Sequence, residues 1–264
     1  MNNPQPSISI NVDLTNPGQF FACCGLLELA DRLWPGAEGW FGASEFFIET
    51  TGTLDELVRG ITQALLVQVD PEDDTSSPIA IGKPFRTLRL AWWQDGSAGG
   101  RDLKVWAGTM ESVRIARAMQ YAMRDSRCAT SDLFDVGMVT FDPDNPAKKT
   151  EPFYFDARRG PNAHSRDVGF SPNDLQITTT AYPAVELLCL VGLQRCLPLK
   201  TRQPRVFDYH TWSTPLTTNL LPAAATGLMA LPGAVGYRFE NWYRTGQRKH
   251  KAFRSATPIS LRGT

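Results

Sequence analysis

Two segments of this chain are so apolar that a helix formed by either of them must lie inside the protein. In residues 20–34 the only charged side chains are Glu28, Asp31 and Arg32, and Asp31 and Arg32 follow Glu28 by three and four positions. On a helix they form one narrow stripe facing solvent, while the remaining surface is apolar. The preceding Thr-Asn-Pro (residues 15–17) predicts a cap followed by a proline in the first turn. We therefore expect an almost wholly buried helix.

The second segment, residues 184–197, repeats this pattern, and each predicted helix has a central glycine, Gly25 and Gly192. Glycine costs about 1 kcal/mol relative to alanine inside a helix, so its presence predicts close approach of another backbone. For Gly25 we expect a sheet or another chain as that neighbour. The repeated strand, proline turn and apolar helix fit either two related β–α units or one packing solution used twice.

Alternating and amphipathic patterns predict the remaining elements and indicate an α+β fold with mixed or antiparallel sheets and buried helices. Strands are predicted at residues 8–14, 40–50, 85–93, 103–106, 153–156, 175–180 and 207–212, and further helices at residues 54–67 and 111–124. Residues 142–152 contain three prolines and predict a connector. It would separate an N-terminal lobe, residues 1–145, from a C-terminal lobe, residues 146–264, that ends in a basic, aromatic-rich tail.

Cysteine and histidine content argues against several classes of site. The sequence has five cysteines and no CxxC pair, and its three histidines are far apart. This pattern predicts a reduced, cytoplasmic protein with buried thiols and with no metal or cofactor. Neither an apolar run of about 18 residues nor a signal peptide is evident in the sequence. No membrane partner is therefore expected.

Charge is distributed unevenly although the total is zero. Residues 1–100 hold 5 Lys or Arg and 13 Asp or Glu, whereas residues 195–264 hold 11 and 2. Such an excess of positive charge repels itself unless an anion neutralises it. We expect a nucleic-acid backbone as that anion. Docking against the acidic first hundred residues of the same chain is the alternative.

Aromatic side chains accompany the basic ones near the C-terminus. Tyr237, Phe239, Trp242 and Tyr243 are interleaved with arginines and precede a basic turn at residues 245–251. Cations that neutralise phosphates, beside rings on which bases stack, are typical of single-stranded nucleic-acid binding. The same pattern predicts a β-hairpin strand with one face in the core, and both interpretations can hold together.

A basic stripe is also predicted on the helix at residues 111–124. Arg114, Arg117, Tyr121 and Arg124 recur every three or four positions and so share one outer face. Either this face is simply solvated or it is a ridge that follows phosphates. The polar loop that follows residue 157 adds three more arginines that could contact phosphates and base edges.

Catalytic motifs are absent from the sequence. It contains no phosphate-binding loop, dinucleotide fingerprint, nucleophile elbow or HExxH zinc motif. The best catalytic candidate is Asp208-Tyr209-His210 near Lys200 and Arg202, which could cleave RNA without a metal by deprotonating a 2′-hydroxyl. The same residues fit an ordinary strand. We therefore expect no enzyme, and keep a crRNA-processing endoribonuclease centred on His210 as an alternative.

Several sequence blocks resemble a protein family encoded in CRISPR operons of subtype I-G, formerly I-U. The blocks are residues 16–30 (NPGQFFACCGLLELA), 90–93 (LAWW), 103–108 (LKVWAG), 167–171 (DVGFS), 186–188 (ELL) and 192–194 (GLQ). That family is similar in role to the large subunit of Cascade, the RNA-guided DNA surveillance complex. The resemblance therefore implies a non-enzymatic subunit that binds the crRNA 5′ region or the protospacer-adjacent target DNA.

The same resemblance implies its partners. They would be crRNA and target DNA, the Cascade backbone and crRNA-processing subunits, and the helicase–nuclease that the complex recruits. Base pairing with the guide would recognise most of the target sequence, and the protein would recognise the short motif next to it. Large subunits are commonly much longer and end in a helical bundle, so either a separate small subunit supplies the bundle or this chain occupies another position. A purely structural Cascade subunit is a further alternative.

We expect phosphate contacts from the basic residues of these surfaces, with two aromatic residues as stacking platforms. In chain order they are Lys104, Arg114, Arg117, Arg124, Arg158, Arg159, Arg166, Lys200, Arg202, Arg205, Trp242, Tyr243, Arg244, Arg248, Lys249, Lys251 and Arg254.

Overall fold

The α+β class predicted from the sequence is confirmed. The computed structural model of the chain describes residues 5–70, 72, 77–107, 110–159, 180–244 and 250–259. These residues form six α-helices and 14 strands, and the strands pair in several antiparallel sheets. Buried apolar residues from most of these elements join in one continuous core.

The elements have the following bounds. The helices are α1 (Pro17–Leu33), α2 (Leu54–Gln63), α3 (Gly100–Leu103), α4 (Ser112–Ala122), α5 (Pro183–Arg195) and α6 (Leu221–Ala225). The strands are β1 (Ile8–Asn11), β2 (Glu38–Phe41), β3 (Glu45–Glu49), β4 (Leu66–Gln68), β5 (Ile79–Ile81), β6 (Leu88–Leu90), β7 (Phe141–Asp142), β8 (Asn145–Lys149), β9 (Leu199–Lys200), β10 (Val206–His210), β11 (Leu216–Thr217), β12 (Gly236–Tyr243), β13 (Lys251–Phe253) and β14 (Thr257–Ile259).

Two sheets flank the central helices. The first has the strand order β1-β3-β2-β11, and the second has the order β13-β12-β10-β9 with β14 also paired to β12. The two sheets are joined where the amide of Phe41 donates to the carbonyl O of Trp212 at 2.8 Å. The strands β4-β5-β6 form a third sheet, and β7 and β8 form a separate hairpin.

Helices α1 and α5 lie side by side in the core with their backbones in contact. A Cβ atom added to Gly25 would lie 2.0 Å from the carbonyl O of Leu188, and one added to Gly192 would lie 1.8 Å from that of Phe21. Glycine is required at both positions because any side chain would overlap the facing helix. The expectation that Gly25 faces a sheet or another chain is therefore wrong, since its neighbour is a helix of the same chain.

The ends of the first two helices follow local sequence signals. Asn16 Oδ1 accepts a hydrogen bond from Gly18 N at 3.1 Å, and Pro17 occupies the first turn, as predicted. Helix α2 begins with a capping box in which Thr53 and Glu56 bind each other's backbone amides. These caps satisfy part of the free backbone amides at the start of each helix.

The predicted solvent stripe of α1 is only partly correct, because Glu28 lies in the core. It is 2% exposed and accepts hydrogen bonds from Arg32 Nε at 2.7 Å and Arg195 Nε at 2.7 Å. Burial would raise its pKa, but Arg195 and Arg32 together hold the pKa of this carboxyl below its usual value. An ion pair between α1 and α5 thus replaces the expected contact with water.

Three predicted strands differ in the structure. Residues 40–50 contain the end of β2, the turn that follows it and β3, and within residues 85–93 only β6 is a strand. Residues 103–106 form no strand, since Leu103 closes α3 and Trp106 packs edge-on against Trp93 with ring centres 5.4 Å apart. In these segments aromatic packing outweighs the local alternation of polar and apolar residues.

The predicted connector and the strand after it also differ. Residues 142–152 include most of the β7–β8 hairpin, and residues 153–156 form a buried loop rather than a strand. Tyr154 in this loop has a φ of 75°, in the left-handed region. The predicted strand at residues 175–180 falls, except for Thr180, outside the described residues.

Elements from both predicted lobes contribute to the shared core. Strand β11 pairs with β2, and α1 packs along α5. The division at residue 145 stays a prediction.

The cysteines are buried and unpaired, as the sequence predicts. Burial raises the pKa of Cys23, Cys189 and Cys196. In the part of the chain that the structure describes, no three His, Cys, Asp or Glu side chains are placed to hold a metal ion. The helices found there include none with the length and apolarity needed to span a bilayer.

Candidate nucleic-acid interface

Strand β12 alternates aromatic and charged residues, so its two faces differ. Tyr237 and Phe239 are buried, and the Phe239 ring stacks on that of Phe207 with centres 5.6 Å apart. Arg238 lies on the exposed face and donates to both carboxylate oxygens of Asp208, at 2.7 and 2.8 Å. The predicted half-buried strand is confirmed.

Past the core, the β12–β13 hairpin presents aromatic rings flanked by arginines. The guanidinium of Arg254 lies 5.2 Å from the ring centre of Trp242, and that of Arg205 lies 6.0 Å from it. Arg205 also lies 4.6 Å from the ring centre of Tyr243. These distances are those of cation–π contacts. Both residues are half-exposed.

Four cations gather around α3 beside these rings. We call Lys104, Lys200, Arg205 and Lys251 the basic patch. Among the described residues it includes the carboxylate of Asp102, whose Oδ2 lies 2.7 Å from Lys200 Nζ and whose carbonyl O accepts from Lys251 Nζ at 3.1 Å. Together these four cations and this carboxylate carry a net positive charge.

The pKa of Lys251 reflects its burial first of all. Burial lowers it most, the charge of Asp102 raises it, and the neighbouring Arg205 and Lys104 lower it again, which leaves a pKa of about 8. The Lys251 ammonium is therefore partly desolvated and has two further cations close by.

Backbone contacts hold Arg205 at the patch. Its φ of 61° lies in the left-handed region, and its carbonyl O accepts from Asn241 N at 2.9 Å. The amide Nδ2 of Asn241 in turn donates to the carbonyl O of Asp102 at 2.7 Å. Arg205 Nε is shielded from solvent and has no acceptor among the described residues. The guanidinium is therefore positioned by its backbone and by rings rather than by a carboxylate.

Pairing within the C-terminal segment accounts for only part of its charge. Asp208 and Glu240 are the acidic residues of the segment 195–264. They bind Arg238, at 2.7 Å, and Arg254, at 3.4 Å. The remaining cations of the segment need counter-ions from elsewhere.

Within the described ranges, an acidic residue of the N-terminal hundred supplies such a counter-ion to Arg195. Arg195 binds Glu28 of α1 at 2.7 Å, so the alternative of intramolecular docking holds there. At the basic patch the partner of Lys200 is Asp102 of α3. For Arg205 the contacts shown are aromatic rings.

The predicted stripe on α4 is exposed but internally paired. Arg114 binds the buried Asp142 at 3.1 Å, and Arg117 binds Asp144 at 3.3 Å. Helix α4 ends at Ala122, so Arg124 lies beyond the helix that was predicted to include it, with its guanidinium 4.8 Å from the Tyr121 ring centre. The α4 arginines therefore bind mainly the β7–β8 hairpin of their own chain.

Arg158 is likewise enclosed by its own chain. It binds Asp156 at 2.7 Å and Asp135 at 2.6 Å, and its guanidinium lies 3.5 Å from the ring centre of Tyr182. Burial would lower its pKa, but Asp156 raises that pKa above the usual value. Contact with a phosphate would require these pairs to open.

Arg244 lies behind the hairpin. Its guanidinium is 3.4 Å from the ring centre of Tyr154, and its Nε donates to the carbonyl O of Lys251 at 2.9 Å. This stack fixes the end of β12. Outside the described residues lie Arg166, Arg248, Lys249 and the side chain of Arg159.

Sequence reasoning missed a buried carboxylate, Glu186 of α5. It is fully buried and accepts from the backbone amides of Phe155 at 3.1 Å and Asp156 at 3.2 Å. Burial raises its pKa to about 7, and the charge of Asp156 adds to the rise. Glu186 holds the loop in which Tyr154 is left-handed. The available signal was a single Glu inside an otherwise apolar helix.

The residues of the catalytic alternative point in different directions along β10. Asp208 is bound to Arg238, whereas the Tyr209 hydroxyl turns into the core and donates to the carbonyl O of Leu14 at 2.6 Å. Burial raises the pKa of Tyr209 well above its usual value. Adjacent residues of a strand face opposite sides, and the structure therefore does not bring this pair together.

His210 packs in a narrow space. It is 9% exposed, and a Cβ atom on Gly227 or Gly236 would lie 2.7 or 2.9 Å from its ring atoms. Its Nδ1 is buried and has no partner among the described residues. Lys200 and Arg202 are exposed. In the described part of the chain His210 is therefore enclosed by its neighbours.

Comparison with known proteins finds no match: no protein-family model, no curated protein and no solved structure is significantly similar to this chain. The described blocks of the CRISPR resemblance lie mainly in and around the α1–α5 pair. Trp92 Nε1 donates to the carbonyl O of Leu190 at 3.0 Å, and Gln194 Oε1 accepts from the amides of Ala91 at 2.7 Å and Trp92 at 3.1 Å. These blocks are thus mainly packing residues, and the basic patch shares only Lys104 with them.

Proposed function

We propose that this chain is a non-catalytic, nucleic-acid-binding subunit of an RNA-guided CRISPR surveillance complex, Cascade. The observation that carries the proposal is the surplus of cations in the basic patch, directly beside the half-exposed rings of Trp242 and Tyr243. Cations attract phosphates without regard to sequence, and every base has a face that can stack on an aromatic ring. The resemblance to subtype I-G proteins supports the choice of pathway.

Within that complex the chain contacts the crRNA 5′ region, the protospacer-adjacent DNA, or both. It helps recruit the helicase–nuclease and touches the Cascade backbone and crRNA-processing subunits. Guide pairing supplies most of the sequence recognition, which suits a protein surface built for phosphate and ring contacts. In this proposal the protein acts in the cytoplasm, where the complex meets invading DNA.

Co-expression with the neighbouring operon genes and a repeat array tests the proposal. Affinity purification of the tagged chain is expected to recover crRNA of uniform length together with the other subunits. A double variant, Arg205→Gln with Lys104→Gln, is expected to retain less crRNA or target DNA. Arg59→Gln is a matched control, since Arg59 is a surface cation paired with Asp55 on α2. Recovery of the chain without any Cascade subunit would overturn the proposal.

A structural subunit is the second candidate, favoured by the ion pairs of α4. Arg114 and Arg117 bind Asp142 and Asp144, so this predicted phosphate ridge already has counter-ions. If the whole chain acts this way, the double variant of the basic patch will impair assembly of the complex. Cross-linking of the chain to RNA and DNA will then be weak in the assembled wild type.

A further inference from the structure

The basic patch contains hydrogen-bond donors that the described residues do not use. Lys251 Nζ donates to the carbonyl O of Asp102 at 3.1 Å and, more weakly, to that of Arg101 at 3.4 Å. An ammonium has three donors, so one remains after these two bonds. Arg205 Nε is a second such donor, buried and without an acceptor in the described part of the chain. Unused donors beside surplus positive charge are complementary to an anion.

Lys251 is surrounded by charged and titratable groups of its own hairpin and of the neighbouring elements. Asp102 is the carboxylate that faces it, and Arg205 and Lys104 are the cations that act on it. On its own hairpin, Tyr243 is its register partner, Arg244 binds its carbonyl O, and His250 contacts Arg244 at 3.5 Å. Lys200 Nζ forms an ion pair with the Asp102 carboxylate at 2.7 Å. Among the charges that act on the Lys251 ammonium, Asp102 favours its charged form, whereas Arg205 and Lys104 favour its neutral form.

We propose that Lys104, Arg205 and Lys251 together hold one phosphate group, and that Lys251 takes up a proton from solvent when the phosphate binds. The inference rests on the proposed function for the source of the phosphate, a phosphodiester of the bound nucleic acid. A tetrahedral phosphate offers acceptors in several directions. It can therefore meet donors that arrive from the loop after α3, from the residue before β10 and from β13.

Proton uptake follows from the local charge. Burial, Arg205 and Lys104 favour the neutral amine of Lys251 and lower its pKa to about 8. A bound phosphate adds negative charge beside the ammonium and raises that pKa again. Between pH 7 and 9 the free site is partly neutral while the occupied site stays charged, so binding carries a proton with it.

Amine labelling tests the phosphate site formed by Lys104, Arg205 and Lys251 without requiring nucleic-acid binding. The full chain is treated briefly with a succinimidyl ester at pH 8, and acylation of each lysine is followed by peptide mass spectrometry. Inorganic phosphate, or in a second arm a short single-stranded RNA, is expected to slow acylation of Lys251 severalfold. Lys148, an exposed lysine on β8, is the internal control whose rate should not change.

The pH dependence of RNA affinity tests whether Lys251 takes up a proton on binding. One unit above its pKa an amine is about nine-tenths neutral, so the wild-type affinity should fall about tenfold between pH 7 and 9. Lys251→Arg keeps the charge at every pH in this range and should give a flat profile. Lys148→Arg is the matched control, because Lys148 is an exposed lysine on β8 outside the basic patch, and it should keep the wild-type profile.

The outcomes separate this inference from the proposed function. Protection of Lys251 by phosphate without any RNA binding supports the phosphate site and overturns nucleic-acid binding. RNA binding that leaves Lys251 unprotected, or a wild-type pH profile as flat as that of Lys251→Arg, overturns the phosphate site alone. Protection in both arms with a pH-dependent wild type supports both.

Discussion

Gly25 of α1 and Gly192 of α5 are reciprocal contacts in the centre of the molecule. A Cβ atom on Gly25 would lie 2.9 Å from the amide N of Gly192, and one on Gly192 would lie 2.8 Å from that of Gly25. Each would also overlap a carbonyl O of the facing helix, at 2.0 and 1.8 Å. The two apolar helices therefore meet backbone to backbone, and the core is built around that contact.

Gly192→Ala is expected to destabilise the protein by about 3 kcal/mol or more, because overpacking of a tight core costs about 1–3 kcal/mol even when side chains can yield. Here the obstructing atoms are backbone. The measurement is the free energy of unfolding in urea. Gly60→Ala in α2 is the matched control, since its Cβ would meet side-chain atoms no closer than 3.4 Å. It should be neutral or stabilising; equal losses in both variants would contradict the proposed contact.

The apolar composition of the two helices was enough to predict their burial, and the central glycines predicted close approach. The identity of the neighbour was not predictable, because nothing local distinguishes a helix from a sheet as the partner of Gly25. The same limit applies to Glu28, which local spacing assigns to solvent. Its place in the core depends on Arg195, which is distant in sequence and adjacent in the structure.

Protein stability should depend on pH through Glu186. The unfolded chain releases this proton near the ordinary value of 4.5, whereas the folded protein keeps it up to a pKa of about 7. The contribution of Glu186 is therefore fully present at low pH and is lost as the pH rises, by about 1.4 kcal/mol per unit between pH 5 and 7. Unfolding in urea across this range measures it.

Glu186→Gln is the comparison for that pH series, because an amide cannot titrate. The wild type minus the variant should show the full slope, whatever other groups contribute. Parallel stability curves for the two proteins from pH 5 to 8 would contradict a raised pKa for the buried carboxyl of Glu186.

Arg114→Met should lower stability without changing nucleic-acid affinity. Its partner Asp142 is buried and would lose a charged partner, a loss of about 1–2 kcal/mol. Arg117→Met is the control, since Asp144 is exposed and surface pairs contribute only about 0–1 kcal/mol. Thermal unfolding and RNA titration of both variants check this. A large loss of RNA affinity in either variant would show that the arginines of α4 contact phosphates.

The thiols should be unreactive in the folded protein. All five cysteines are buried, and burial raises the pKa of Cys128 to about 11. Because the thiolate is the reactive form, a thiol reagent at neutral pH should label none of them rapidly until denaturant is added. Fast labelling of one or more in native buffer would show that the core opens.

The basic patch shows both how far sequence reasoning reaches and where it ends. Lys104, Lys200, Arg205 and Lys251 were all predicted as phosphate contacts from charge and composition. Their assembly around Asp102 was not predictable, because it requires the pairing of β9, β10, β12 and β13 and the course of α3. Composition also could not separate them from Arg158 or the α4 arginines, which are satisfied by carboxylates brought close only by folding.

The salt dependence of RNA binding tests the central claim most directly. For single strands the log–log slope is about −0.7 per neutralised phosphate, so every phosphate that the protein holds makes the wild-type titration steeper by that amount. Because Lys104, Arg205 and Lys251 hold one phosphate together, the Arg205→Gln, Lys104→Gln double variant should be shallower by about 0.7, while Arg59→Gln should match the wild type. A flat wild-type titration, or a double variant with an unchanged slope, would show that these cations do not contact a polynucleotide.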